Sequence, residues 1–175
     1  MKQKNFITIG LGVALLCAAG CGSVQHKASF NDAFTPSAGT KIAVGTVKNE
    51  TGQQFDVDVE QMLSDALAEK LRKQNMLSES QESSQLLLTC KIVEYQKGDA
   101  FKRWLLPGWG STVLSIQGNL IDKDEIIGTV QARRTVSVGG GYTIGAWRTV
   151  FASLAEDIVK DINSALAKKS NTSSK

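Results

Sequence analysis

The sequence predicts an α/β domain, an α+β sandwich in the order β-α-β-β-β-α: a four-stranded mixed sheet with two helices packed on one face. Three observations predict it. Two segments repeat apolar residues at helical spacing, four segments alternate or cluster β-branched residues, and polar Asn-, Gly- or Asp-bearing turns separate them. The 175-residue length suits one domain with a single core.

The first strand is "KIAVGTV", Lys41 to Val47, which alternates and stops at the polar turn "KNETG". From Val59 the apolar positions Met62, Leu63, Ala66, Leu67 and Leu71 form one helical face. Asp58 stands at its start with Gln61 three residues on, a capping box, and Val57 with Met62 forms the accompanying hydrophobic staple. Asn75 suits the left-handed residue that ends such a helix. "QLLLTCKIVEY" is the second strand. "TVLSIQGNLID" and "EIIGTVQARRTVSV" are the third and fourth, joined by the charged hairpin "DKDE". In the fourth, Ile126, Val130, Ala132, Val136 and Val138 share one face, and Gln131, Arg133, Thr135 and Ser137 the other. Trp147, Val150, Phe151, Leu154, Ile158, Ile162, Ala165 and Leu166 then make a long amphipathic helix. The parallel β-α-β crossover should be right-handed, with a meander after it.

Outside the domain the composition changes. Lys2 and Lys4, the apolar run Phe6 to Leu16 and the small residues Ala18-Ala19-Gly20 are ordered as a secretory signal, too short in its apolar part to span a bilayer. Ala-Ala-Gly-Cys resembles the bacterial lipobox, with an Ala where Leu is usual; Cys21 would then be the first mature residue and carry the lipid. An ordinary signal peptide cut near Ala19 is the alternative. Gly22 is not the Asp that retains lipoproteins at the inner membrane of enteric bacteria, which favours the outer membrane, facing the periplasm. The expected divisions are therefore a lipoprotein signal over 1–20, a tether over 21–40, the domain over 41–167 and a flexible tail over 168–175.

Chemistry is sparse. Residues 1–20 hold Lys2 and Lys4 and no acid, so the formal charge of +3 falls to about +1 without them, and no nucleic-acid partner is indicated. Of the three cysteines, Cys17 would leave with the signal and Cys21 would be blocked, so Cys90 has no disulfide partner and reads as a small core residue. The one histidine, His26, falls in the expected tether, solvated and without a task. That removes Ser-His and Cys-His arrangements from the domain. Asp122, Asp124 and Glu125 cluster in the hairpin without the spacing of a calcium loop. Gly139 to Gly141 precede a helix but lack the following G-K-[ST] of a phosphate loop. No cofactor, metal or catalytic residue is expected.

One stretch breaks the usual polarity of loops. "FKRWLLPGWG", Phe101 to Gly110, joins two strands yet carries Phe101, Trp104, Leu105, Leu106 and Trp109 with Lys102 and Arg103. Either it folds over the open end of the sheet as a cover, or it is a docking surface for a protein or for the lipid headgroup zone. Trp104, Leu105, Leu106 and Trp109 are its partner-binding residues in the second reading.

"KIAVGTVKNETG", the helix "VEQMLSDALAEKLRKQNML" and the strand after it resemble the start of the curli-secretion-lipoprotein-like domain group. That group includes cell-wall-synthase activator lipoproteins and small bacterial lipoproteins with a domain of unknown function. "KGDAFKRWLLPGWG" and "GGGYTIGAWRTVF" look like one of those unknown-function families. The resemblance implies a periplasm-facing lipoprotein that acts by binding or assembly. No long insertion supplies pore-forming hairpins, so a secretion pore is not carried over. The expected function is a membrane-anchored, non-enzymatic interaction or assembly factor of the cell envelope, held by the lipid on Cys21, with an envelope protein as partner. The alternative is a periplasmic carrier of a small ligand or lipid, which would need an apolar pocket between helices and sheet. An envelope hydrolase ranks last.

Overall fold

The computed structural model describes residues 23–37, 39–80, 85–106, 109–137 and 145–172. The elements are β1 (Val24–Phe30), β2 (Ile42–Asn49), α1 (Val59–Lys73), β3 (Leu86–Gln96), α2 (Ala100–Leu105), β4 (Thr112–Asp122), β5 (Glu125–Val136) and α3 (Ala146–Thr172). The sheet has five strands, not four, in the order β1-β5-β4-β3-β2. β2 pairs parallel with β3 across the α1 crossover, and the other neighbours are antiparallel.

The added strand is β1, which lies in the segment expected as a tether. Its burial shows why the pattern is faint: only Ala28 and Phe30 pack against the core, and the rest of "VQHKASF" is exposed. β1 is held by its ladder to β5, Val24 opposite Arg134 through Phe30 opposite Gly128, which closes what would otherwise be an open edge. Gly128 permits this approach, because a Cβ there would stand 2.7 Å from the Ser29 carbonyl oxygen.

Local signals act as expected at α1. The Asp58 carboxylate accepts from the Gln61 N–H at 2.8 Å, and Asn75 follows the helix at φ 54°. The capping box is half made, since the Gln61 side chain donates to Asp65 instead. The β4–β5 hairpin turns on Lys123 and Asp124, both at positive φ, the signature of a type I′ turn. Next to it the register slips between Leu120 and Ile121, and Ile127 enters the core while Ile126 is 49% exposed. Strict alternation had placed Ile126 inside; the bulge moves the buried position by one residue. Val138 lies outside the described residues.

One core cluster joins the layers: Leu63, Leu67 and Leu71 of α1 meet Leu88, Ile92, Leu114 and Ile116 of the sheet and Phe151, Leu154, Ile158 and Ile162 of α3. Trp147, expected to bury with these, is only partly covered, with Lys97 Nζ 4.8 Å and the Arg148 guanidinium 4.6 Å from its ring. α3 continues through residues expected as a tail: Lys169 Nζ donates to the Asn31 carbonyl at 2.6 Å, tying the last helical turns to the end of β1.

Phe151 is 1% exposed. Phe151→Ala should therefore lower unfolding free energy by about 3–5 kcal/mol, read as a urea midpoint shift at unchanged m. Gly128→Ala should cost about 1–3 kcal/mol, because a backbone oxygen blocks the new methyl group, and β1 amides should lose hydrogen-exchange protection first.

Candidate functional site

The β3–β4 connection leaves the sheet at the end where β5 finishes and β1 begins. Its neck is pinned by one backbone and one side-chain bond: the Asp99 N–H donates to the Gly110 carbonyl at 2.8 Å, and the Thr112 hydroxyl donates to the Lys97 carbonyl at 2.8 Å. Gly110, at φ +74°, closes the loop where a Cβ would meet Lys102 Cβ at 2.7 Å. Between these points the Asp99 carboxylate caps α2 by accepting from the Phe101 and Lys102 N–H groups at 2.9 and 3.1 Å. The Trp109 N–H donates to the Leu106 carbonyl at 3.0 Å.

The described residues of this connection present apolar side chains to solvent. Phe101 is 68%, Leu105 52%, Leu106 58% and Trp109 49% exposed, so these four side chains do not complete the core. Trp104 lies within α2, and its side chain is outside the described residues. Lys102 Nζ stands 5.8 Å from the Trp109 ring. Ser23 borders the same open groove as Asp99, Lys102 and Gly110, and its carbonyl accepts from the Thr135 N–H at 3.0 Å. Cys21 and residues 1–20 fall outside the described residues, as do Gly139 to Gly141.

The other chemically versatile groups serve the fold. His26, expected to be solvated in a tether, lies on β1 with Nδ1 2.7 Å from Asp161 Oδ2 of α3. Arg134 Nη1 reaches Asp157 Oδ2 of the same helix at 2.6 Å. Across the helix-free face of the sheet, Arg133 donates to both Glu94 oxygens, at 3.0 and 3.3 Å. Asp122 borders a surface groove with Phe34, Thr40, Gln85 and Ile121 at the opposite end of the sheet. Among the described residues no three His, Cys, Asp or Glu side chains gather as a metal site. Cys90 is 2% exposed opposite Gly118, and burial pushes its thiol up to about 12. The Tyr95 hydroxyl donates to the Trp147 carbonyl at 3.2 Å; burial first, then the Asp56 charge, raises it to about 12.

A family model described as a domain of unknown function, DUF4410, matches residues 22–140. It begins just before β1, so that strand lies within the matched domain. No curated protein sequence matches the chain. In structure the chain is similar to a variant of the PelC dodecamer from Paraburkholderia phytofirmans, 18% identical over 80% of this chain and 95% of that one, with a TM-score of 0.56. A second crystal form of the PelC dodecamer gives 17% identity, 80% and 96% coverage, and a TM-score of 0.56. A Xanthomonas campestris protein of DUF330 is 10% identical over 71% of this chain and 86% of that one, at a TM-score of 0.47. At these identities the PelC likeness shows the fold alone.

Cys90 and Tyr95 carry a pH dependence whose sign follows from proton binding. The folded state holds both protons more tightly than the unfolded chain, so their contribution is complete below the ordinary values of 9.0 and 10.0 and is lost as pH rises toward about 12. The urea midpoint should fall from about pH 9 upward, and Cys90→Ala should delay that fall toward about pH 10, where Tyr95 alone remains. A thiol reagent near neutral pH should label Cys90 in urea and leave it unlabelled in the native protein.

Proposed function

The chain belongs to the DUF4410 family, and from that premise we propose that it is a lipid-anchored bacterial lipoprotein working by contact, as an interaction or assembly factor of the cell envelope. The observation that carries this reading is the group of exposed apolar residues, Phe101, Leu105, Leu106 and Trp109, beside the groove that Ser23, two residues after Cys21, helps to line. A monomer seldom leaves such a cluster uncovered without a use for it. Trp104, Leu105, Leu106 and Trp109 are the docking residues of this proposal. The lipid on Cys21 holds the domain at the outer membrane, facing the periplasm. In this proposal the family belongs to the wider curli-secretion-lipoprotein-like group, a reading supported by the resemblance of Lys41 to Gly52 and of α1.

A non-enzymatic role accords with His26 and Arg134 being paired to α3 and with the Cys90 thiol being buried. The carrier alternative is not favoured, because Leu63, Leu67, Leu88, Phe151 and Leu154 fill the space between helices and sheet. Self-assembly extends the proposal: the similar PelC structures are dodecamers, and the polar helix-free face, with Gln117, Gln131 and Arg133, is open to an envelope protein or to another copy.

Cell fractionation and intact mass test the reading. Cys21→Ala should release the protein from membranes or leave it unprocessed, with the acyl mass absent. Trp104→Ser with Trp109→Ser should leave the urea midpoint nearly unchanged while removing the docking measured by crosslinking from residue 105 in cells. Wild-type membrane fractionation and mass in Cys21→Ala would defeat the anchor, and undiminished crosslinking in the double variant would defeat the docking surface.

A further inference from the structure

The three tryptophans of the chain belong to one end of the molecule. Trp104 lies in α2 and Trp109 follows it. Trp147 begins α3 beneath the same strand ends, its carbonyl bonded to Tyr95 and its ring faced by Lys97. Three cations accompany them: Lys97 and Arg148 at Trp147, and Lys102 at Trp109. Lys97 is also paired with Asp56 at 2.7 Å, and the opposite end carries Asp122, Asp124 and Glu125 around Lys123 in the β4–β5 hairpin. The eleven residues of β4 separate the two ends by roughly 35 Å.

The chain enters at the aromatic end. Ser23 is bonded to β5 and shares a groove with Asp99, Lys102 and Gly110, and only Gly22 stands between it and Cys21. Two residues of extended chain reach at most about 7 Å. That is less than the 10–12 Å diameter of one helix with its side chains. A lipid on Cys21 thus leaves too little room between this end and the bilayer for a protein element to intervene. Tryptophan with flanking lysine and arginine is the composition that settles at the membrane–water boundary, rings among the headgroups and cations toward the phosphates.

We propose that this end is a membrane-seating surface: Phe101, Leu105, Leu106 and Trp109 lie in the headgroup layer of the bilayer that holds the Cys21 lipid, and the domain stands upright with its acidic hairpin away from it. The proposal rests on the anchored-lipoprotein reading and names the occupant of its docking surface. Because β1 replaces the expected tether, the domain is seated rather than suspended. The seat also fixes which faces remain free, namely the helix layer, the polar sheet face and the hairpin end.

The test uses the full processed protein in vesicles of phosphatidylethanolamine and phosphatidylglycerol with brominated acyl chains. In a Trp104→Phe, Trp147→Phe background with an unchanged urea midpoint, Trp109 is the sole tryptophan. Its emission should lose at least half its intensity to bromine near the headgroups and become shielded from aqueous iodide. Adding Leu105→Asp and Leu106→Asp should reverse both effects while the protein stays in the vesicle fraction. Acylated Cys21 with Trp109 unquenched by bromine and open to iodide would overturn the seat and leave the anchor standing. So would a photoreactive group at residue 109 that crosslinks in cells to protein rather than lipid. Trp109 quenched in a protein whose mass shows no acyl chain would uphold the seat and defeat the anchor.

Discussion

Burial of α3 against the sheet is the contact on which the rest of the structure depends. Its apolar stripe, Phe151, Leu154, Ile158 and Ile162, fills the space above β4 and β5 and meets α1 alongside. Each such side chain contributes about 1.5–3 kcal/mol when removed from water, so this one face outweighs the polar links around it. Those links nevertheless set the geometry. His26 and Arg134 reach Asp161 and Asp157 on the helix, and Lys70 of α1 reaches Glu156. Lys169 at its far end holds the chain just after β1. The partners come from β1, β5 and α1, and α3 is common to all of them.

The sheet manages its edges unequally, and this bears on orientation. β5 would be an edge without β1, and β1 is too polar to join by burial alone, so it depends on its ladder, on Gly128 and on the helix beneath. Fixing β1 also fixes where the preceding residues leave the domain. The same strand ends carry the aromatic connection between β3 and β4, and the tight hairpin lies at the other end. Chain entry and apolar surface are thus brought together by strand order, not by closeness in sequence: Ser23 and Lys102 are distant along the chain and line one groove.

The described side chains divide into those engaged within the fold and those presented at its surface. The thiol of Cys90 is protonated and enclosed, His26 is paired, and the hairpin acids face solvent around a turn. What the described residues present is area: an apolar cluster at one end and a polar sheet face alongside. Between the layers, Leu63, Leu67, Leu88, Phe151 and Leu154 pack into one apolar core.

By itself the sequence determined the elements whose causes are local: the α1 face and its Asp58 cap, the left-handed Asn75, the Lys123–Asp124 turn and the alternation of the central strands. Each depends on residues a few positions apart, so spacing is sufficient to see it. It also showed that Phe101 to Trp109 is too apolar for a loop, while leaving open whether the segment covers the core or faces outward. The tertiary structure decided what depended on distant partners. β1 carries too little apolar alternation to be recognised until β5 offers its edge, and the bulge that exchanges Ile126 for Ile127 arises from pairing with β4. His26 finds Asp161, and Lys169 finds Asn31, only after α3 docks. The exposure of Phe101, Leu105, Leu106 and Trp109 was decided in the same way, because α3 and the strands already fill the core.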